Sequence, residues 1–220
     1  MEYQILKISK EGTLTIVLVN IFVSCVIILL IFFGNPVLYW LLAPLLFIEF
    51  LVIYFFRDPE RNIPLGDNLI VSPADGKVVL IKDVYEDQFL KSDAVQVSIF
   101  LSVFNVHVNR IPISGVIKYF RYMHGTFLAA FNHDASVKNE QTVIGIEMVK
   151  GKLLFKQIAG LLARRIVFDP KEKDNVVTGV RCGIIKFGSR VDVIMQKNVD
   201  IKIRVGDKVA GGETIIGVIR

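Results

Sequence analysis

The stretch IKFGSRVDVIM, residues 185–195, carries the pattern that decides the fold class. Its apolar side chains recur with the two-residue period of a half-buried β-strand. These apolar residues are Ile185, Phe187, Val191 and Val193. The pair Gly188-Ser189 interrupts the pattern, so it is either a β-bulge or a place where the backbone takes part in chemistry.

Similar short runs rich in Val, Ile and Phe fill the chain on both sides of this stretch, from residue 69 onward. Turn signals such as Pro-Ala-Asp-Gly, Lys-Gly-Lys and Val-Gly-Asp separate them, which is typical of a mostly antiparallel β domain. Residues 72–81 and 205–219 each place a glycine-containing turn before a β run, as in barrel-sandwich folds. The sequence therefore predicts a mostly β (α+β), barrel-sandwich-like domain.

Helical patterns are few in this part of the chain. The two candidates are Leu161–Asp169 and Thr126–Glu140. Both lie between β runs, so we expect them to be short additions to a β domain.

Two long apolar runs precede the β domain. Thr13–Phe33 contains no charged residue and is long enough, at about 1.5 Å per residue, to cross a hydrocarbon layer of about 30 Å. Val37–Phe56 follows after a short turn and contains one acid, Glu49. We predict a two-helix transmembrane hairpin over residues 1–56 and a separate domain over residues 57–220. An uncleaved signal anchor followed by a buried helix is the alternative.

Charges at the two ends of the hairpin predict its orientation. Lys7 and Lys10 precede it, Arg57 and Arg61 follow it, and the connecting turn carries none. The positive-inside rule keeps both ends on the cytoplasmic side of the cell (inner) membrane. The formal net charge of +5 suits an anionic leaflet, whereas the absence of a basic stripe argues against nucleic acid as a partner.

Several common classes of site are not supported by the sequence. Cys25 lies in the first apolar run and Cys182 in the β domain, so a disulfide between them is not expected. No His, Cys or Asp cluster has metal-ligand spacing, so we predict no metal. A hydrolase elbow around Ser189 needs glycine where Phe187 and Val191 stand, and the chain has no P-loop.

Histidine 107 is the first candidate for acid–base chemistry. In FNVHVNRIP, residues 104–112, the polar residues Asn105, His107 and Asn109 alternate with apolar ones. Alternation places them on one face of a strand, and a polar face on an apolar strand suggests a site.

Other polar residues are open to more than one interpretation. Asp75, in Pro-Ala-Asp-Gly, is a turn residue unless its context gives it a further role. His124 and His133 lie in a polar stretch, where they face either solvent or a substrate head group.

The Gly188-Ser189 pair can support chemistry of the backbone itself. A serine hydroxyl can attack the preceding carbonyl and convert the amide into an ester, and glycine on the acyl side minimises crowding. β-Elimination of the ester leaves dehydroalanine, which hydrolyses to a pyruvoyl group at a new N-terminus. The chain would thus make its own electrophile.

Five motifs in this order, behind a membrane hairpin, resemble the short form of the phosphatidylserine decarboxylase family. They are SPADG (72–76), SIFLSVFNVHVNRIP (98–112), QIAGLLARRIV (157–167), IKFGSRVDV (185–193) and VGDKVAGGETIIG (205–217). The resemblance implies self-cleavage between Gly188 and Ser189 into a β chain, 1–188, and an α chain, 189–220. It also implies a pyruvoyl cofactor derived from Ser189, a heterodimer of the two chains, and a dimer of these.

The same resemblance implies a reaction and residue roles. The amine of phosphatidylserine forms a Schiff base with the pyruvoyl group, and loss of CO2 yields phosphatidylethanolamine. His107 is the expected general acid and base, and Asp75 is expected to assist it during self-cleavage. Longer family members carry a second histidine where this chain has Arg110. Arg110 and His124 are the expected substrate-binding residues.

Two other functions remain open from the sequence. A decarboxylase of another serine-headed lipid, such as archaetidylserine, has the same chemistry and differs only in the lipid backbone. A non-catalytic, membrane-tethered barrel-sandwich module also fits residues 205–217, although it leaves Gly188-Ser189 without a purpose.

Overall fold

An apolar helical unit precedes a β-rich unit along the chain. The computed structural model describes residues 7–34, 36–126, 139–160, 166–186 and 188–220. The first unit is Met1–Glu60 and the second is Arg61–Arg220.

The first unit consists of two helices joined by a short turn of 3₁₀ helix. Helix α1 is Lys10–Phe33, the 3₁₀ turn is Pro36–Leu41, and helix α2 is Leu42–Phe55. Gly34 ends α1 in the left-handed conformation, with φ of 58°, and donates its N–H to the carbonyl of Leu30 at 3.1 Å. Glycine adopts this conformation without the strain that a Cβ would bring.

The two helices differ in length. Within the described residues, only α1 is long and apolar enough to cross a membrane. Helix α2 has 14 residues, or about 21 Å at 1.5 Å per residue, which is shorter than a hydrocarbon layer. Gly12 of α1 packs directly on the ring of Phe56, where a Cβ would lie 2.3 Å from a ring carbon. The predicted apolar helix is confirmed for the first run, as α1. The second run forms the shorter helix α2, and Phe56, which follows α2, packs against the first turn of α1.

The second unit contains the strands. Their bounds are β1 Leu69–Val71, β2 Gly76–Glu86, β3 Ser92–Leu101, β4 Val108–Arg110, β5 Gly115–Met123, β6 Gln141–Met148, β7 Gly151–Ala159, β8 Ile166–Phe168, β9 Asn175–Val176, β10 Arg181–Ile185, β11 Ser189–Gln196, β12 Val199–Ile201, β13 Lys208–Val209 and β14 Ile215–Ile219. Strands outweigh helices, and the mostly β class that the sequence predicts is confirmed.

Among the described residues, the largest sheet has eight strands in the order β13-β2-β3-β11-β7-β6-β5-β9, and all its pairs are antiparallel. Strand β11 lies at its centre, between β3 and β7. The sheet is curled, because Phe89 in the β2–β3 turn lies against Gly145 of the distant strand β6.

Two three-stranded sheets, in the orders β1-β14-β12 and β4-β10-β8, accompany the large one in the described part of the chain. The main apolar core includes Val191 and Phe155 of the large sheet together with Ile185 and Cys182 of β10. Strands β8 and β10 contact β7, so the β4-β10-β8 sheet packs over one face of the large sheet. Residues that precede and follow Gly188 thereby belong to two packed sheets.

Two expectations from the sequence need correction. The run 185–195 is not one interrupted strand, because β10 ends at Ile185 and β11 begins at Ser189 in a different sheet. The helix predicted for Leu161–Asp169 is wrong for Ile166–Phe168, which forms β8 and pairs with β10. Residues 161–165 and most of the other helical candidate, 127–138, lie outside the described residues.

Candidate active site

The passage from β10 to β11 gives Gly188 an unusual backbone conformation. Its φ is +59°, in the left-handed region that favours glycine. A Cβ added to Gly188 would meet no atom of the described residues within 4 Å, its chain neighbours aside. The residue is therefore required by the backbone angle and not by lack of space.

Ser189 begins β11 and is completely buried. It pairs with Leu101 of β3 on one side and Ala159 of β7 on the other. Within the described part of the chain, its Oγ has no hydrogen-bond partner. A buried hydroxyl left in this state costs about 1–3 kcal/mol.

His107 lies immediately before β4 and is also completely buried. Its Nδ1 is 2.9 Å from the carbonyl oxygen of Asn105. Because a carbonyl oxygen can only accept, Nδ1 carries a proton, and Nε2 is the ring nitrogen that can gain or lose one. The carbonyl of His107 accepts the N–H of Ile185 at 3.4 Å, which brings it beside the strand that leads to Gly188.

Asn105 has a different place from the one expected. It lies in a turn, where its Oδ1 accepts hydrogen bonds from the N–H and the hydroxyl of Ser102 at 2.9 and 2.8 Å. The predicted strand face of Asn105, His107 and Asn109 is therefore wrong for its first two members, because β4 begins only at Val108. Asn105 instead supplies the carbonyl that orients the His107 ring.

Asp75 ends the turn between β1 and β2. Arg61 Nη2 donates to both of its carboxylate oxygens, at 2.9 and 2.8 Å, and the N–H of Gly211 donates to Oδ1 at 2.7 Å. The carboxylate is thus held by Arg61, a partner that the sequence did not indicate, and Arg61 also reaches Glu213 at 3.3 Å. A role for Asp75 beside His107 stays a prediction.

Comparison with known proteins gives this geometry a context. Residues 48–217 match the family described as phosphatidylserine decarboxylase. The phosphatidylserine decarboxylase proenzyme of Amoebophilus asiaticus is 51% identical over 169 residues, 76% of this chain and 75% of the relative. That of Chlorobaculum tepidum is 41% identical over 212 residues, 96% and 98% of the two chains.

The chain belongs to the phosphatidylserine decarboxylase family. The resemblance inferred from the five motifs is confirmed, and the chain is a decarboxylase. The alternative of a non-catalytic tethered module is therefore set aside.

The two predicted substrate-binding residues of this decarboxylase lie in contrasting places. Arg110 is buried, donates from Nη1 to the carbonyl of Gly179 at 3.0 Å, and has its Cδ 2.8 Å from where a Cβ on Gly212 would be. His124 is exposed, with its ring edge against Tyr122 at 5.0 Å between centroids. Substrate binding by either residue stays a prediction. His133 lies outside the described residues.

Cys182 is a further nucleophile candidate in the β-rich unit, and its surroundings make it unreactive. Burial raises the pKa of the Cys182 thiol strongly, and the negative charge of Asp169 raises it further. The thiol therefore stays protonated in the folded decarboxylase, and the reactive thiolate does not form at neutral pH. A role for Ser189 as the nucleophile stays a prediction.

The sequence analysis missed a buried ion pair one residue beyond Ser189. Arg190 donates from Nε to Asp192 Oδ1 at 2.6 Å and from Nη2 to Oδ2 at 3.1 Å, and both side chains are at most 2% exposed. Ser98 accepts from Arg190 at 2.8 Å, and Gln96 donates to Ser98 and Asp192 at 3.0 Å each. Two opposite charges at i and i+2 in a central apolar strand are the signal that indicates such a pair.

Proposed function

We propose that the chain is a self-processing precursor that cuts itself between Gly188 and Ser189 and then converts phosphatidylserine to phosphatidylethanolamine and CO2. The observation that carries the proposal is the left-handed Gly188 followed by a buried serine whose Oγ has no partner within the described residues. The phosphatidylserine decarboxylase proenzyme names of the relatives point the same way.

The residues around position 189 fit a pyruvoyl group. The position is fully buried, and the residue paired with it on β7 is the small Ala159. Asn109 Nδ2 is a buried donor with no partner in the described part of the chain. These features suit a small group that carries carbonyl oxygens. Its carbonyl supplies an electron-accepting centre that stabilises the charge left when CO2 departs.

Ser189 and His107 perform the first stage. Nε2 of His107 accepts the hydroxyl proton as Oγ of Ser189 bonds to the carbonyl carbon of Gly188. The C–N bond then breaks, the nitrogen of residue 189 takes a proton, and an ester remains. Residue 189 then loses its Cα proton and the Gly188 carboxylate leaves, which gives dehydroalanine. Dehydroalanine reacts with water, releases ammonia and leaves a pyruvoyl group.

His107 has a second task after processing. Its Nδ1 proton is committed to the Asn105 carbonyl, so Nε2 is the atom that exchanges protons. A proton held there is donated to the substrate carbon that has lost CO2. We propose that Asp75, held by Arg61, assists self-cleavage. Arg110 and His124 are proposed to contribute to lipid binding.

The apolar helix α1 is consistent with attachment to a membrane. We propose that this is the inner membrane, with the catalytic unit on the cytoplasmic side, because Lys7, Lys10, Arg57 and Arg61 flank the apolar runs. A lipid substrate resides in the same plane, so attachment confines the enzyme to its substrate. We propose that the pieces 1–188 and 189–220 stay together as a heterodimer, and that two heterodimers associate.

Intact-mass spectrometry of the detergent-purified chain tests the proposal. We expect the 24.8 kDa precursor to give way to a C-terminal fragment that begins at position 189, and borohydride to shift the mass of that fragment. Ser189→Ala should abolish the fragment. An uncut wild-type chain with an intact fold would overturn the proposal.

Ser92→Ala provides a matched control. Ser92 also follows a residue with positive φ, Lys91 at 52°, and its Oγ is also buried without a partner within the described residues. It lies at the opposite end of β3 and is not preceded by glycine. Ser92→Ala should therefore be processed like the wild type. Release of CO2 from diacyl and ether-linked serine lipids then identifies the lipid backbone that the enzyme accepts.

A further inference from the structure

Asn109 is a buried amide that the roles above do not use in a chemical step. It lies on β4 and is completely buried. Its Oδ1 accepts a hydrogen bond from Gln157 Nε2 at 2.8 Å, and Gln157 Oε1 accepts one from the hydroxyl of Thr142 at 2.8 Å. This relay orients the Asn109 amide, and its Nδ2 has no partner among the described residues.

The register of the large sheet places this amide on the side of Ser189. Gln157 is paired with Val191, and side chains two apart on a strand share a face, so Gln157 and Ser189 project to the same side. Such diagonal neighbours have Cα atoms about 7–8 Å apart, within reach of a glutamine side chain. Asn109 is bonded to the end of that side chain. The residue opposite Ser189 on β7 is the small Ala159.

The charge that develops during self-cleavage needs such a donor. When Oγ of Ser189 bonds to the carbonyl carbon of Gly188, the carbonyl electron pair moves to oxygen and leaves an oxyanion. The charge of the nearby Arg190 is engaged by Asp192. A neutral donor that is already desolvated and fixed by its neighbours stabilises an oxyanion without having to give up another bond.

We infer that Asn109 Nδ2 donates a hydrogen bond to the Gly188 carbonyl oxygen during self-cleavage and is a catalytic residue of that step, with Gln157 as its positioning residue. This inference rests on the proposed function and adds a residue to it. It concerns formation of the ester and leaves the later elimination to other groups.

The rate of scission in freshly synthesised full-length protein tests the inference. Removing one oxyanion donor slows an acyl-transfer step by about 10²–10³-fold, so Asn109→Ala should accumulate precursor by at least the lower factor. Hydroxylamine, which cuts esters and spares amides, should release no fragment from that precursor, because the ester has not formed. Protection of Cys182 from alkylation reports that the fold is intact.

Gln157→Glu keeps Asn109 and decides the question if Asn109→Ala does not fold. The introduced carboxylate accepts from Thr142 and also from Asn109 Nδ2, so the donor turns away from Gly188 and scission should slow as strongly. Gln96→Ala is the control, since Gln96 is a buried amide on the opposite face and its bonds go to Ser98 and Asp192.

The outcomes separate the two proposals. A wild-type chain that is never cut overturns the proposed function itself. A wild-type chain that is cut, with scission in folded Asn109→Ala or in Gln157→Glu at the wild-type rate, overturns the inference alone. Equal slowing in Gln96→Ala would also overturn it, because the effect would then follow from loss of any buried amide.

Discussion

Strand β11 carries a polar group on each face, and the two groups are built in opposite ways. On one face, Arg190 and Asp192 exchange hydrogen bonds with each other and share Ser98 and Gln96 as partners. On the other face, Ser189 has a buried polar atom that no described residue bonds.

Under the proposed function, this difference separates a structural role from a chemical role within one strand. A buried polar group usually has a partner, because leaving it without one costs about 1–3 kcal/mol. The ion pair meets this requirement and holds the strand in register. The serine face does not meet it, and atoms without partners are available to bond to a transition state.

The largest effect is expected from removing the base on the serine face. His107→Gln keeps an amide that can donate to the Asn105 carbonyl but cannot accept a proton at neutral pH. We expect scission to slow by about 10²–10⁴-fold, the usual contribution of a general base. Quantifying precursor and fragment over time checks this, with the melting temperature as the measure of folding. A folded variant cut at the wild-type rate would exclude His107 as the base.

The second effect concerns the Arg190–Asp192 face of β11 and should appear as a loss of folding stability. Arg190→Met leaves Asp192 buried without its charge partner, so we expect the free energy of unfolding to fall by about 3–5 kcal/mol. The combination Arg190→Met with Asp192→Leu should recover most of the loss, because neither charge remains. Denaturant titration of both, in Ser189→Ala so that the chain stays whole, provides the measurement. Equal loss in the single and double variants would show that packing, and not charge pairing, stabilises this face.

The smallest effect is expected from the backbone between the two sheets. The added methyl of Gly188→Ala meets no atom of the described residues beyond its chain neighbours, so its expected cost is that of the left-handed φ, about 1–2 kcal/mol. If the left-handed backbone of Gly188 positions the carbonyl for attack, scission should slow by about tenfold. Gly206→Ala is the control, since Gly206 also has positive φ, at 103°, and open space. Comparable scission rates in the two variants would show that the Gly188 conformation is not needed for cleavage.

The sequence predicted the parts of the site that depend on local chemistry. Gly188-Ser189 was singled out because the pair interrupts an apolar alternation, and His107 because polar and apolar residues alternate around it. The mostly β class followed from the two-residue period of the apolar residues.

The parts that depend on distant pairing were beyond the sequence. Alternation is the same in one strand and in two, so the sequence could not reveal that Ile185 and Ser189 belong to different sheets. The hydrogen bonds from Arg61 to Asp75 join residues 14 positions apart. The hydrogen bond from Gln157 to Asn109 joins residues 48 positions apart. Such bonds follow from sheet order, which propensity and spacing do not encode.

The central place of β11 in the sheet affects how a cleaved molecule could fold and unfold. In the piece 189–220, β11 lies between β3 and β7, β13 pairs with β2, and β14 pairs with β1. A molecule cut before Ser189 would keep every one of these pairs, but it could rebuild them only by a collision between two separate chains. Before scission, the uncut chain folds as a single molecule. After scission, refolding would require two fragments to meet and would depend on their concentration, so the working lifetime of the enzyme would be set by its rate of unfolding.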